Sequence, residues 1–189
     1  MPRWFFDLFD DVSVPGRWHL GSPVDAEGRE ADDFGYFTQG HAVKAPGPLR
    51  ISCTEPGTPL DYSLGGLNVP IVHARVAEVF TRLAPQAVQL LPVEIEGQSE
   101  PYFILVVTRR VRCIDESASE IERWTEANGV PEVVGEYMSV RDLHIDKSRV
   151  GNEQIFRLQD WEVVILVSEE LKDALERSQA TGFKFTEVP

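Results

Sequence analysis

Long apolar runs are missing from this 189-residue sequence, and nothing in it approaches the roughly twenty apolar residues a membrane-spanning helix needs. The N-terminus offers only Trp4-Phe5-Phe6 before Asp7 interrupts it, with no basic stretch ahead, so it does not read as a secretory signal. Cysteine is scarce. Cys53 and Cys113 each sit in an apolar, strand-like context, which favours free thiols in a reducing cytoplasm over a disulfide, although the sequence leaves their pairing open. His19, His41, His73 and His144 are far apart with no H-x-x-x-H, and His144-Ile145-Asp146 reads as alternation at a strand end, so no metal site is expected. There is no G-x-S-x-G elbow, no C-x-x-C, and no Walker or dinucleotide glycine pattern. Ser63-Leu64-Gly65-Gly66 lacks the strand-to-helix context of an activated nucleophile. The residues therefore suggest no catalytic side chain and no cofactor. Basic residues are few, and their one dense run is Arg109, Arg110 and Arg112. The acids that follow it suggest ion pairs rather than a nucleic-acid patch.

Negative charge is what the chain has in excess, and it is unevenly placed. The net charge is −13. Residues 1–33 hold eight acids against three arginines, a net of −5, and residues 115–136 hold seven acids against Arg123 alone, a net of −6. Such a field repels nucleic acid and acidic lipid and speeds encounter with a basic partner. It also simply keeps a protein soluble, and charge alone does not separate the two readings.

Thirteen prolines and fourteen glycines fit a loop-rich mixed fold better than a helical bundle. Residues 155–188 are the most legible stretch. Ile155-Phe156-Arg157-Leu158 opens it, and the β-branched run Val163-Val164-Ile165-Leu166-Val167 reads as a strand buried on both faces. Ser168 is a helix N-cap, with Glu169 and Glu170 at the positive end of the dipole. Leu171, Ala174 and Leu175 recur at helical spacing, Gly182 reads as a left-handed cap, and Phe183 and Phe185 alternate like a strand. Upstream, residues 4–9 and 49–53 read as strands. Asn68 and Pro70 suggest the start of a helix carrying Val72, Val76, Val79, Phe80 and Leu83, closed by Pro85. Residues 88–95 form a strand whose Pro92 suggests an edge or a bulge, and residues 102–114 a long second strand. Residues 115–136 read as an exposed excursion with one or two helical turns, and residues 137–145 as strand-like. The expectation is an α+β fold: a mostly antiparallel sheet, two main helices and a loop-rich N-terminal half. The division is residues 1–68 and an α+β core at 69–189, joined as one compact unit.

Trp124 lies among Glu120, Glu122 and Glu126, an aromatic within a charged rim. It reads either as an interface anchor or as a core residue beneath a solvated face.

A set of residues spread over about 170 positions resembles a bacterial family of polymorphic-toxin immunity proteins, the eleventh numbered immunity family, formerly a domain of unknown function. It runs from Trp18, Gly21, Pro23, Asp25 and Gly28 through Phe37, Gly40 and Pro48-Leu49 to Pro70-Ile71-Val72. Val88-Gln89, Pro92-Val93, Tyr102, Leu105, Val107 and Cys113-Ile114-Asp115 follow, with Ser119. Ile155-Phe156-Arg157, Val164-Ile165-Leu166-Val167-Ser168, Leu171, Thr181-Gly182 and Phe185 complete it. Order and spacing carry the resemblance. His73 departs from it, standing where the family often has serine.

The resemblance implies a non-catalytic cytoplasmic inhibitor that binds and neutralises a cognate toxin domain in the producing cell. It brings no catalytic residues and no contact map. The contact expected from this chain is acidic: Asp115, Glu116, Glu120, Glu122, Trp124 and Glu126, with Glu30, Asp32 and Asp33, docking on a basic toxin surface. Nucleic acid and membrane are not expected partners, and a homodimer stays open. The competing classes are a small cytoplasmic hydrolase and a regulatory protein-binding module.

Overall fold

The computed structural model describes residues 3–31, 35–44 and 47–189. Among them are β1 (Phe5–Asp10), β2 (His19–Val24), β3 (Leu49–Glu55), β4 (Tyr62–Leu64), β5 (Pro70–His73), β6 (Val88–Ile95) and β7 (Tyr102–Val107). The rest are β8 (Arg110–Val111), β9 (Glu120–Arg123), β10 (Tyr137–Arg141), β11 (Ile155–Leu158), β12 (Trp161–Ser168) and β13 (Phe183–Val188). Two α-helices, α1 (Ala74–Leu83) and α2 (Glu169–Arg177), accompany them. The fold is α+β. One sheet has the order β2-β3-β6-β7-β5-β4, a second β13-β1-β12-β11-β8, and β9 and β10 form a third alone. The two larger sheets are mixed, because β3 runs parallel to β6 and β8 parallel to β11.

Alternation along the strands sorts their side chains into three cores. On β7, Leu105 and Val107 face a central cluster while Ile104 and Val106 face the opposite side of the sheet. On β12, Ile165 and Val167 face that central cluster while Leu166 turns away. The central cluster receives both helices, Val76, Val79 and Phe80 from α1 and Leu171, Ala174 and Leu175 from α2, so it lies between the two sheets. Trp18, Phe37, Val43 and Leu60 cover the outer face of the six-stranded sheet. Cys113, Ile145 and Val150 cover the outer face of the other. Both cysteines are free.

Several local expectations shift. Residues 70–73 are a strand between β4 and β7, and α1 begins only at Ala74. Its cap is His73, whose Nδ1 accepts from the Arg75 backbone N–H, and not Asn68, which has a left-handed backbone (φ 58°). The run at 102–114 is not one strand. After Val107 the chain leaves the six-stranded sheet, and Arg110 re-enters pairing in the other sheet beside Arg157. Pro92 lies inside β6, but β3 begins pairing with β6 only at Val93, so the ring sits where one flank is still open. Along β12, burial on both faces holds for Ile165–Val167 only, since Val163 is exposed. The punctuated stretch 1–68 carries four of the strands, β1 in the five-stranded sheet and β2–β4 in the six-stranded one.

Gly182 does not cap α2. That helix ends at Arg177 with Ser178 as its C-cap, and the left-handed residue after it is Gln179 (φ 54°). Gly182 (φ 94°) instead lets the chain pass the β4 backbone, where a Cβ would stand 2.0 Å from the Tyr62 carbonyl oxygen. Asp61 braces the same crossing. Its carboxylate accepts from the Thr181 backbone N–H and hydroxyl and is forked by Arg75. Burial alone would raise the Asp61 pKa, but the Arg75 and Thr181 hydrogen bonds outweigh it and hold it low.

Candidate interaction surface

The acidic excursion is a hairpin. Asp115 opens it with a turn in which Oδ1 accepts from the Ser117 N–H and hydroxyl, holding the Asp115 pKa below the usual carboxylate range. An Ile114–Ile145 bridge, the Asp115 N–H to His144 carbonyl bond (2.9 Å) and the His144 N–H to Ser119 hydroxyl bond (2.9 Å) clamp its base. β9 and β10 then pair antiparallel from Arg141↔Glu120 to Tyr137↔Arg123, with a bulge near Met138. The apex beyond them is held by Thr125, whose N–H and hydroxyl both donate to Asn128 Oδ1, and by Arg123, which donates to the Gly135 carbonyl at 2.7 Å.

Ion pairing divides the hairpin's glutamates into two groups, while Asp115 at the base is held by Ser117 and makes no ion pair among the described residues. Glu116 accepts from Tyr137 Oη at 2.6 Å and pairs with Arg123 at 2.8 Å, and both bonds lower its pKa. Arg123 also lies over the Tyr137 ring, 4.4 Å from its centroid. Glu122 and Glu120 both pair with Arg141, at 2.9 and 3.6 Å. Glu126, Glu132 and Glu136, at the apex, are exposed and make no ion pair among the described residues. Between them Val130 and Val134 are 41% and 43% exposed.

A family model for the immunity protein family (Imm11) matches residues 16–189, which takes in every element from β2 to β13. The chain belongs to the Imm11 immunity protein family. No curated protein matches it.

In this Imm11 chain, Asp115, Glu116, Glu120, Glu122, Trp124 and Glu126 all stand on the one hairpin. Glu30 does not join them. It is exposed beside β2, bridged to Val24, and no hydrogen bond or ion pair among the described residues ties it to the hairpin. Asp32 and Asp33 lie outside the described residues. Trp124 is half-buried at the foot of the apex, its N–H and carbonyl paired with Glu136 and Gly135, and it joins none of the three core clusters. The arginines 109, 110 and 112 do form ion pairs, but with Glu153, Glu162 and Asp160 from the C-terminal part of the Imm11 chain, not with the excursion. The sequence reading passed over Val130 and Val134. Their signal is three valines, Val130, Val133 and Val134, in a short stretch bounded by Gly129 and Gly135, and only Val133 of the three is partly buried. No helix among the described residues is long and apolar enough to cross a membrane.

Proposed function

We propose that this Imm11 protein binds a toxin domain made in the same cell and neutralises it by occupying its surface, with no bond made or broken by the inhibitor. The family match over residues 16–189 is the observation that supports this most. The charge distribution agrees with it. A projecting hairpin of net −6 is suited to steer onto a basic surface, and toxins that act on nucleic acid are commonly basic. In this reading the hairpin presents the toxin-facing side, with the Glu30 segment as a second acidic patch, and the hairpin's free charges decide which part of it makes the contact. The producing cell's cytoplasm is where such an inhibitor would work.

The test is genetic. The C-terminal domain of a secreted protein encoded beside this gene is expressed in a host with and without this chain, and survival is scored. Survival is expected only when the two are made together. Death in both cases, or survival in both, would count against toxin neutralisation.

A further inference from the structure

We infer that the apex of the β9–β10 hairpin, rather than its strands, makes the toxin contact: Val130 and Val134 enter an apolar recess of the partner while Glu126, Glu132 and Glu136 meet basic side chains around it. This rests on the toxin-binding reading above and gives it a location. Two independent observations coincide at the apex. Glu116, Glu120 and Glu122 on the body of the hairpin share two counter-ions, Arg123 and Arg141, so most of their charge is offset and less attraction is left for a partner. The three apex carboxylates have no internal counter-ion among the described residues. Within the same turn, two of the seven large exposed apolar side chains among the described residues stand four residues apart. An apolar centre inside a charged rim is the anatomy of a protein interface.

The apex is also fixed before binding. The Thr125–Asn128 cap, the Arg123 bond to Gly135 and the left-handed Gly129 (φ 75°) hold its backbone, so little ordering is left to oppose association. The occupant is a basic protein surface. A second copy of this chain would set three unpaired carboxylates against three more, and nucleic acid would be repelled in the same way. Another exposed apolar pair, Leu67 and Val163, lines one shallow depression. Its acids Asp160 and Glu162 are held by Arg112 and Arg110, so that patch carries no comparable unpaired charge.

The test measures binding of the full chain to the purified C-terminal domain encoded beside it, by association and dissociation kinetics at low and physiological salt. Glu126→Lys/Glu132→Lys/Glu136→Lys is expected to weaken binding at least tenfold, mostly through a slower association rate, and to remove most of its salt dependence. Val130→Ser/Val134→Ser should speed dissociation about tenfold. Glu120→Gln/Glu122→Gln and Leu67→Ser/Val163→Ser should stay within about threefold of wild type. Unchanged thermal midpoints confirm that every variant is folded. A wild-type chain that binds while both apex variants bind equally well overturns the inference and leaves toxin binding standing. So does loss of binding confined to the Glu120/Glu122 or Leu67/Val163 variants, or an apex that proves to join two copies in sedimentation. A wild-type chain that does not bind at all removes the toxin-binding reading, and this contact with it.

Discussion

Asp7 carries its charge in an unfavourable place. It lies within β1 between β12 and β13, paired with Leu166 on one side and Thr186 on the other. Its Oδ1 is buried without a hydrogen-bond partner, and burial pushes its pKa up to about 6 from 3.8. A carboxyl whose folded pKa is raised supports the fold fully below its unfolded pKa and loses that support as pH climbs through the folded one. The window here is about pH 4 to 6. Asp7→Asn removes the ionisation, so it should stabilise the protein at pH 7, on the order of 2 kcal/mol, and by progressively less toward pH 4. Urea denaturation of both proteins across that range checks this; a difference that does not change with pH would contradict it. Asp10, three residues on, is buried too but is forked by Arg17 at 2.8 and 2.6 Å. The contrast between the two shows that a buried carboxylate is judged by its partner and not by its depth.

Among the elements, the crossing of β4 with the start of β13 joins the two sheets. The Tyr62 N–H donates to the Thr181 carbonyl at 3.0 Å, and the Asp11 backbone N–H donates to the Gly182 carbonyl at 2.9 Å, so strands from both sheets meet at two residues. Gly182→Ala should destabilise the protein by about 1–3 kcal/mol, because a backbone carbonyl stands where the methyl would go. Gly97→Ala is the control: its φ is also positive (77°) but nothing lies within 4 Å of a Cβ there. Thermal unfolding of both variants separates the strain of a positive φ from the close approach, and equal losses would show that the crossing has room to relax. The helices were readable at this scale, one better than the other. The Ser168 hydroxyl accepts from the Leu171 N–H at 3.2 Å, as the cap and the two following glutamates suggest. The start of α1 was misplaced because Pro70 suits a strand end as well as a first helical turn, and pairing with β4 and β7 took residues 70–73 into the sheet.

For the whole molecule, a net charge of −13 predicts that association with a basic partner is fastest in dilute buffer. Raising ionic strength from about 0.01 to 0.3 M should slow wild-type association roughly tenfold while dissociation changes little, which stopped-flow mixing reads directly. A salt-independent rate would mean that the acidic excess serves solubility alone. What the sequence determined by itself was local: strand period, helix stripe, the Ser168 cap, and the acidic segment's position in the chain. Each of these is set by residues within a turn or two of one another, and the family resemblance rests on the same linear order. The tertiary structure alone decided which strand neighbours which, why residues 102–114 divide between two sheets, and which charges remain free. Arg110 and Arg112 found their acids 52 and 48 positions away. Glu120 and Glu122 were taken by Arg141, while the apex acids were left to solvent. Such pairings depend on where the packing of apolar faces carries the backbone, and no stretch of neighbouring residues encodes that.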